Sequence, residues 1–328
     1  MGPEMPSSFS IQFRNLIGAA ALSVVCAGAA AQGAKVIRLV VPFAPGGGQD
    51  VLARAFNNEL GAALGQPVIV EYHAGAGGGI GSAYVAKSDP ANPAFLVGAA
   101  SHIISAVLSA KPAYHPVTDF TPVAYVGTGS QVLLVSSQVP ARTLAEFVSY
   151  ARANPGKLNY ASAGSGSSTH LAMAFFANVA GLDMVHIPFK SNSEPIQELL
   201  AGRVQAGFLP SISAVALAKE ARVRLLGVST AERSQFFPAL PAIAQSGYPD
   251  YIYFSWFGLL GPVNANRGLV QRINEEMGKL LATPAIVERL VKLGIEAKSM
   301  APEAFQQLLR ADYERVIRIV KISGAQAD

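Results

Sequence analysis

From Val36 onward, short apolar runs alternate with stretches of helical period. Val36–Val41 reads as a buried strand, and Asp50–Leu64 as a helix with Val51, Leu52, Ala55, Phe56, Leu60 and Leu64 on its apolar positions. Val68–Glu71, a helix over Ile80–Lys87 and a strand over Phe95–Gly98 continue the alternation, and Pro112 to Pro122 is turn-rich. Strands separated by helical stretches imply βαβ units with parallel pairing.

The rhythm then restarts. Val123–Val126 and Val132–Val135 read as strands. Thr143 followed by Glu146 makes a capping box for a helix over Leu144–Ala153, which Asn154-Pro155-Gly156 stops. Lys157–Ala161, Met184–Ile187, Val204–Phe208 and Val223–Val228 are predicted strands, and Ser168–Ala180, Glu194–Ala201 and Ser213–Glu220 predicted helices. After the short strand Phe257–Leu260, helices dominate: Leu269–Leu281, Pro284–Leu293 and Pro302–Ile322. Two α/β runs and a return of the chain predict an α/β protein of two lobes, each a mostly parallel sheet flanked by helices. The predicted crossings lie near Val132–Val135 and Trp256–Leu260. The first lobe takes 34–131 plus 257–328 with the C-terminal helices, the second 132–256.

The N-terminus breaks this pattern. Arg14, the apolar run Leu16–Ala27 and the small residues up to Ala31 have the charged flank, apolar core and A-x-A site of a secretory signal, assigned to residues 1–31. The run is shorter than the roughly 20 residues a spanning helix needs. The chain's one cysteine, Cys26, falls inside this signal behind Val25, where a lipid-attachment signal wants a small residue. Removal of the signal leaves a mature chain with no thiol chemistry, suited to an oxidising compartment such as the periplasm. Across 328 residues the composition, 51% hydrophobic and 14% charged, builds cores and excludes disorder. The net charge of +4 is diffuse, with no basic run interleaved with aromatics, so nucleic acid is not an expected partner.

Candidate chemistry concentrates in three glycine- or serine-rich turns. In Val40–Asp50 a strand runs into Pro42-Phe43-Ala44-Pro45-Gly46-Gly47-Gly48, with Asp50 where a helix N-cap is expected. Glycines admit close backbone approach, and free N–H groups at a helix start favour an anion; a tight β–α turn is the plainer alternative. No Gly-Lys-Ser/Thr follows, which excludes a P-loop. Gly75-Ala76-Gly77-Gly78-Gly79-Ile80-Gly81 opens a second helix, but Ile80 occupies the position where a dinucleotide fingerprint needs its third glycine. Ala161–His170 (ASAGSGSSTH) offers hydroxyls and bare N–H groups suited to a carboxylate, or equally a flexible turn with an N-cap. Tyr160 stands where a nucleophile elbow requires glycine before Ser162. The five histidines show no metal-ligand spacing. His102, beside Ser101, is placed to reach a cleft; His170 and His186 read as structural, and Trp256 and Phe257 as core or cleft wall.

With these segments the chain resembles the periplasmic solute receptors of tripartite tricarboxylate transporters, the Bug-type receptors. The segments are Pro42–Asp50, Gly65–Gly81, Pro155–His170, Met184–Lys190 and Ser255–Pro262, in order along the whole mature chain. The resemblance implies a periplasmic-binding-protein fold (type II-like) that hinges shut on a small organic carboxylate. It implies first-lobe contacts from Phe43, Ala44, Gly47, Gly48, Asp50, Gly78, Ser101 and His102, and second-lobe contacts from Ser165, Gly166, Ser167, Ser168 and Thr169. Ser191 and Ser211 belong to loops that shape the distal end of the pocket. There the chain departs from the family: Ser191-Asn192-Ser193-Glu194 follows Lys190, and Gln205 and Leu209-Pro210-Ser211 replace acidic residues. Fewer acidic groups disfavour an ammonium and leave room for an aromatic body or a second carboxylate. The implied partners are integral membrane permease subunits; a monomer with no cofactor and no metal is expected, and no enzyme activity. The rival from another class, an exported serine hydrolase, would need Ser162 or Ser165 as nucleophile, His102 or His170 as base and Asp50 as orienter. A receptor feeding a sensor kinase is the third reading.

Overall fold

The structure is a computed structural model that describes Gly2 and residues 36–46, 48–189 and 193–325. The assigned signal at 1–31, Gly47, Lys190, Ser191 and Asn192 lie outside the described residues, apart from Gly2.

The first half-sheet starts with β1 (Ile37–Val41), paired in parallel with β2 (Val68–Tyr72) and β3 (Ala94–Ala99). Between them the expected helix over 50–64 is two, α1 (Gly48–Arg54) and α2 (Asn57–Leu64). Phe56 leaves helical geometry (φ −140°, ψ −8°) and is fully buried, which breaks the continuous helix that periodicity suggests. The helices α3 (Gly79–Ala86) and α4 (Ser101–Leu108) follow β2 and β3. Periodicity does not readily reveal α4, because Ser-His-Ile-Ile-Ser-Ala-Val-Leu is only two turns long, carries no charge and clusters the β-branched Ile103, Ile104 and Val107.

The two short strands expected around residues 123 and 132 are one 17-residue strand, β4 (Phe120–Ser136). Residues 120–130 pair antiparallel with β9 (Phe254–Pro262), whereas 131–136 pair antiparallel with β7 (Ala206–Pro210) and β8 (Val223–Val228). β5 (Leu158–Ser162) lies parallel to both β6 (Met184–Pro188) and β7. The strand order is β2-β1-β3-β9-β4-β7-β5-β6, with β8 and the short β10 (Ile295–Ala297) also on β4. The sheet is therefore mixed rather than mostly parallel. Every antiparallel pair involves β4 or β9, the strands that carry the chain out and back. The chain changes half-sheet at Gln131. Its return lies ahead of β9, because Trp256 already pairs with Thr128 of the first half.

In the second half α5 (Leu144–Arg152) begins as a capped helix: Glu146 N–H donates to Thr143 Oγ1 at 3.2 Å. The helices α6 (Ser168–Ala180), α7 (Ser193–Ala201) and α8 (Ser211–Ala216) alternate with the strands, and α9 (Arg267–Leu281), α10 (Pro284–Lys292) and α11 (Pro302–Ser323) close the chain. One core cluster holds Leu39, Phe56, Leu60, Phe95 and Met277; another, in the second half, holds Val132, Leu134, Leu199 and Val228. The third runs across both halves, joining Leu96 and Ile103 to Phe176 and Phe208 through Phe305 and Leu309 of α11. The last helix thus packs on α4 and α6 alike. Trp256, buried in this cluster, donates its indole N–H to Asp312 on α11 at 2.7 Å. No helix among the described residues is long and apolar enough to cross a membrane.

Candidate functional site

A cleft of 1130 Å³ has lining from both half-sheets and from the strands that connect them. Strand alternation on β9 decides which neighbouring aromatic reaches it: Phe257 lines the cleft, while Trp256 points into the core.

On the first-half side, Phe43 comes from the turn before α1, Gly48 and Gln49 from the start of α1, Ala76 and Gly77 from the turn before α3, Gly79 and Ile80 from the start of α3, and Ser101 from the start of α4. These turns fit together because Gly81 has no side chain: a Cβ there would sit 2.8 Å from Pro42 Cβ, 2.9 Å from Pro42 Cα and 3.0 Å from the His73 carbonyl. Gly78 does not line the cleft itself. It lies under the Phe43 ring, where a Cβ would come within 3.3 Å, and so sets the height of that ring. Ala44 is exposed but outside the lining.

Asp50 is neither an N-cap nor part of the cleft wall. It is the third residue of α1, and its buried carboxylate accepts from Gly46 N–H at 2.7 Å, Tyr72 O–H at 2.8 Å and Arg54 Nε at 2.8 Å. Burial pushes this carboxyl up, but those three donors outweigh it and hold the carboxyl below its usual range. Asp50 therefore ties the glycine turn to α1 and β2. His102 is also displaced from its expected place. On α4, Ser101, Ile104, Ser105 and Leu108 form the face on the cleft, and His102 lies about 100° away around the helix. Its ring is 2% exposed, with Nε2–H donating to the Pro116 carbonyl and Nδ1 paired with Ser82 Oγ, both at 2.9 Å. Burial lowers it to about 4, so it is neutral at pH 7.

On the second-half side, Ala163–Ser168 line the cleft ahead of α6, and four of the five expected contacts (Ser165, Gly166, Ser167 and Ser168) lie there. Thr169 is buried instead. Its Oγ1 accepts Ala163 N–H at 3.0 Å, while Ser167 Oγ caps α6 by accepting His170 N–H at 3.2 Å. Among the described residues, the N–H groups of Ser165, Ser168 and Thr169 meet no protein acceptor. They are free donors at the positive end of a 13-residue helix.

The floor is built from Gly129, Ser130 and Gln131 of β4, with Ser211 from the start of α8. Ser211 lines it, but its hydroxyl is bonded to Ser130 Oγ and to the Ser130 carbonyl, pinning β4 to the start of α8. Sequence reasoning missed Gln49, Gln131 and the segment after α4, where Ser109–Tyr114 continue the wall. Lys111 there is the one charged side chain among the described lining residues. No spacing signal marks it, because a lysine in a proline-bounded turn looks like ordinary surface.

The triad built on Ser162 is not assembled. Ser162 is buried outside the cleft and pairs with His186 Nε2 at 2.6 Å rather than with His102 or His170, and Asp50 is engaged elsewhere. No group of three or more metal-ligating side chains occurs among the described residues.

Residues 52–325 match the family described as the tripartite tricarboxylate transporter family receptor. The chain belongs to that family. A Pseudomonas sp. (strain P51) protein, named for the tcbD-tcbE intergenic region, is 34% identical over 97% of this chain and 96% of its own length. Among solved structures, Rhodopseudomonas palustris Rpa4515 with adipate is 28% identical with a TM-score of 0.74, covering 90% of this chain and 99% of that one. MatC from the same organism, with bound malate, is 30% identical with a TM-score of 0.69, covering 87% and 98%. The two-lobed periplasmic-binding-protein fold expected from the sequence is the fold of this group. The chain is therefore a member of a solute-binding receptor family.

Proposed function

We propose that this receptor captures a small organic dicarboxylate between its two lobes and delivers it to the permease subunits of a tripartite tricarboxylate-type transporter. The first lobe is built on residues 36–130 with β9 and β10, the second on 131–253, and α11 spans both. One observation carries the ligand class: the described lining holds a single charged side chain, Lys111, and no carboxylate. Opposite the glycine turns, the free N–H groups ahead of α6 supply donors for one carboxylate. Phe43, Ile80, Ile104 and Phe257 offer an apolar surface for the body of the ligand, and Lys111 a counter-charge for a second anionic group. Similar receptors whose structures hold adipate and malate agree with that class. A ligand touching both lobes stabilises the closed form, and the transporter reads closure. The N-terminal signal pattern and the similarity to a periplasmic binding protein support a periplasmic site for this function.

A thermal-shift screen tests the reading with mature protein and C4–C6 dicarboxylates, tricarboxylates, aromatic carboxylates and acidic amino acids. Ligand at about 100 times its Kd stabilises by about 2.7 kcal/mol. The expected result is a rise in Tm with one dicarboxylate class and none with the matching monoamide. A panel without any shift would refute the carboxylate assignment.

A further inference from the structure

Beneath the second-lobe loop lies a group that ligand contact does not use. His170, near the start of α6, and His186, on β6, stack face to face with ring centroids 3.8 Å apart and planes at 1°. Tyr160 of β5 continues the stack on His186 at 4.9 Å. Both imidazoles are wired to the loop that lines the cleft. Gly166 N–H donates to His170 Nδ1 at 3.0 Å. His186 Nε2 pairs with Ser162 Oγ at 2.6 Å, and that oxygen also accepts Gly164 N–H at 3.2 Å. Two of the loop's backbone amides are thus fixed from below, one by His170 and one by Ser162, which His186 in turn holds.

We propose that His170 is a positioning residue for ligand binding: its uncharged Nδ1 holds Gly166 so that the free donors of Ser165 and Ser168 face the cleft. The chemistry is one-sided, because a backbone N–H only donates. His170 Nδ1 must therefore be unprotonated, with its proton on Nε2. Protonation would set an N–H against an N–H and place a positive charge 3.8 Å from the neighbouring imidazole. The groups facing the pair are Tyr160 and Ser162 from β5 and Gly166 and Ser167 from the loop; no carboxylate pairs with either ring among the described residues. Burial lowers His170, and burial followed by the neighbouring His170 lowers His186 to about 4, so both are neutral where the receptor works. Burial pushes the Tyr160 hydroxyl up to about 12, so it adds no charge.

This inference rests on the reading of the loop as a carboxylate clamp, and its test separates the two. His170→Asn keeps an acceptor near the Nδ1 position and does not titrate; His170→Leu removes the acceptor. Amide hydrogen exchange over 163–170 is measured on ligand-free protein, and adipate affinity is measured by calorimetry between pH 7 and pH 4. The Asn variant should keep wild-type exchange and bind adipate within about threefold at pH 7. The Leu variant should exchange faster and bind at least about tenfold more weakly, a difference of about 1.4 kcal/mol. Wild type should lose affinity on acidification more steeply than His170→Asn, whose profile carries the titration of adipate and of His186 but not of His170. Wild-type exchange in His170→Leu, or one shared pH profile for wild type and His170→Asn, overturns the inference. If His170→Leu fails to fold, the comparison of the two pH profiles decides. If wild type binds no adipate at pH 7, adipate is not among its ligands, and the exchange rates alone decide whether His170 holds the loop.

Discussion

Replacing Asp50 by alanine separates a residue that touches ligand from one that holds the loop touching it. The carboxylate accepts three hydrogen bonds of 2.7–2.8 Å, from Gly46, Tyr72 and Arg54. Two of these donors regain water on truncation, since Gly46 is exposed and the Arg54 side chain is 58% exposed. The net loss is therefore close to that of one hydrogen bond to a charged group, about 1.5–3 kcal/mol, rather than the sum of three. For the 328-residue chain less its assigned 31-residue signal, 2 kcal/mol corresponds to a fall in Tm of about 3 °C. Affinity should fall as well, because the turn carrying Phe43 and Gly48 loses its tie. The pH dependence follows from the depressed carboxyl. Its contribution is present above the carboxyl's unfolded pKa and is lost as pH falls through the lower folded value. Wild type and Asp50→Ala should therefore converge in stability on acidification. Differential scanning calorimetry across pH, paired with ligand titration, measures both. An unchanged Tm with a large change in affinity would refute the anchoring role and return Asp50 to direct contact or charge repulsion with the ligand.

Other substitutions probe the remaining walls. Gly81→Ala should lower stability by about 1–3 kcal/mol despite the better helix propensity of alanine, because its Cβ meets the backbone of Pro42 and His73; urea unfolding reads this out. Lys111→Gln should weaken dicarboxylate binding by about two- to fivefold, as expected for an exposed ion pair worth up to about 1 kcal/mol. That loss should fade with added salt and be absent for monocarboxylates; equal losses for both would remove Lys111 from the recognition of a second carboxylate. His102, buried and lowered to about 4, must gain a proton on unfolding between pH 6.5 and pH 4. Wild type should lose up to about 3 kcal/mol across that window, and His102→Gln should show a flatter slope with unchanged ligand affinity at pH 7.

Much of the architecture is legible along the chain because it rests on local patterns. The span of α6 follows from its serine cap and the αL residue Gly181, and the start of α5 from its capping box. Glycine and serine turns that end strands and open helices mark the cleft, since close backbone approach and free helix-start amides are properties of sequence. Family membership follows from the order of those turns. The fate of individual side chains does not. Asp50 and Thr169 look like ligand contacts in the motif, yet each spends its oxygens on a backbone amide of its own turn. His102 is one residue from Ser101, but a helix turns neighbours about 100° apart, and only the packed position of α4 decides which faces water. The merging of two expected strands into β4, the burial of Trp256 against α11, and the approach of Lys111 and Gln131 to the same cleft all depend on contacts between distant segments. So does the stacking of His170 on His186, 16 residues apart on a helix and a strand. Local pattern determined where donors and turns lie along the chain, whereas the packing of β4, β9 and α11 decided which of them share a wall.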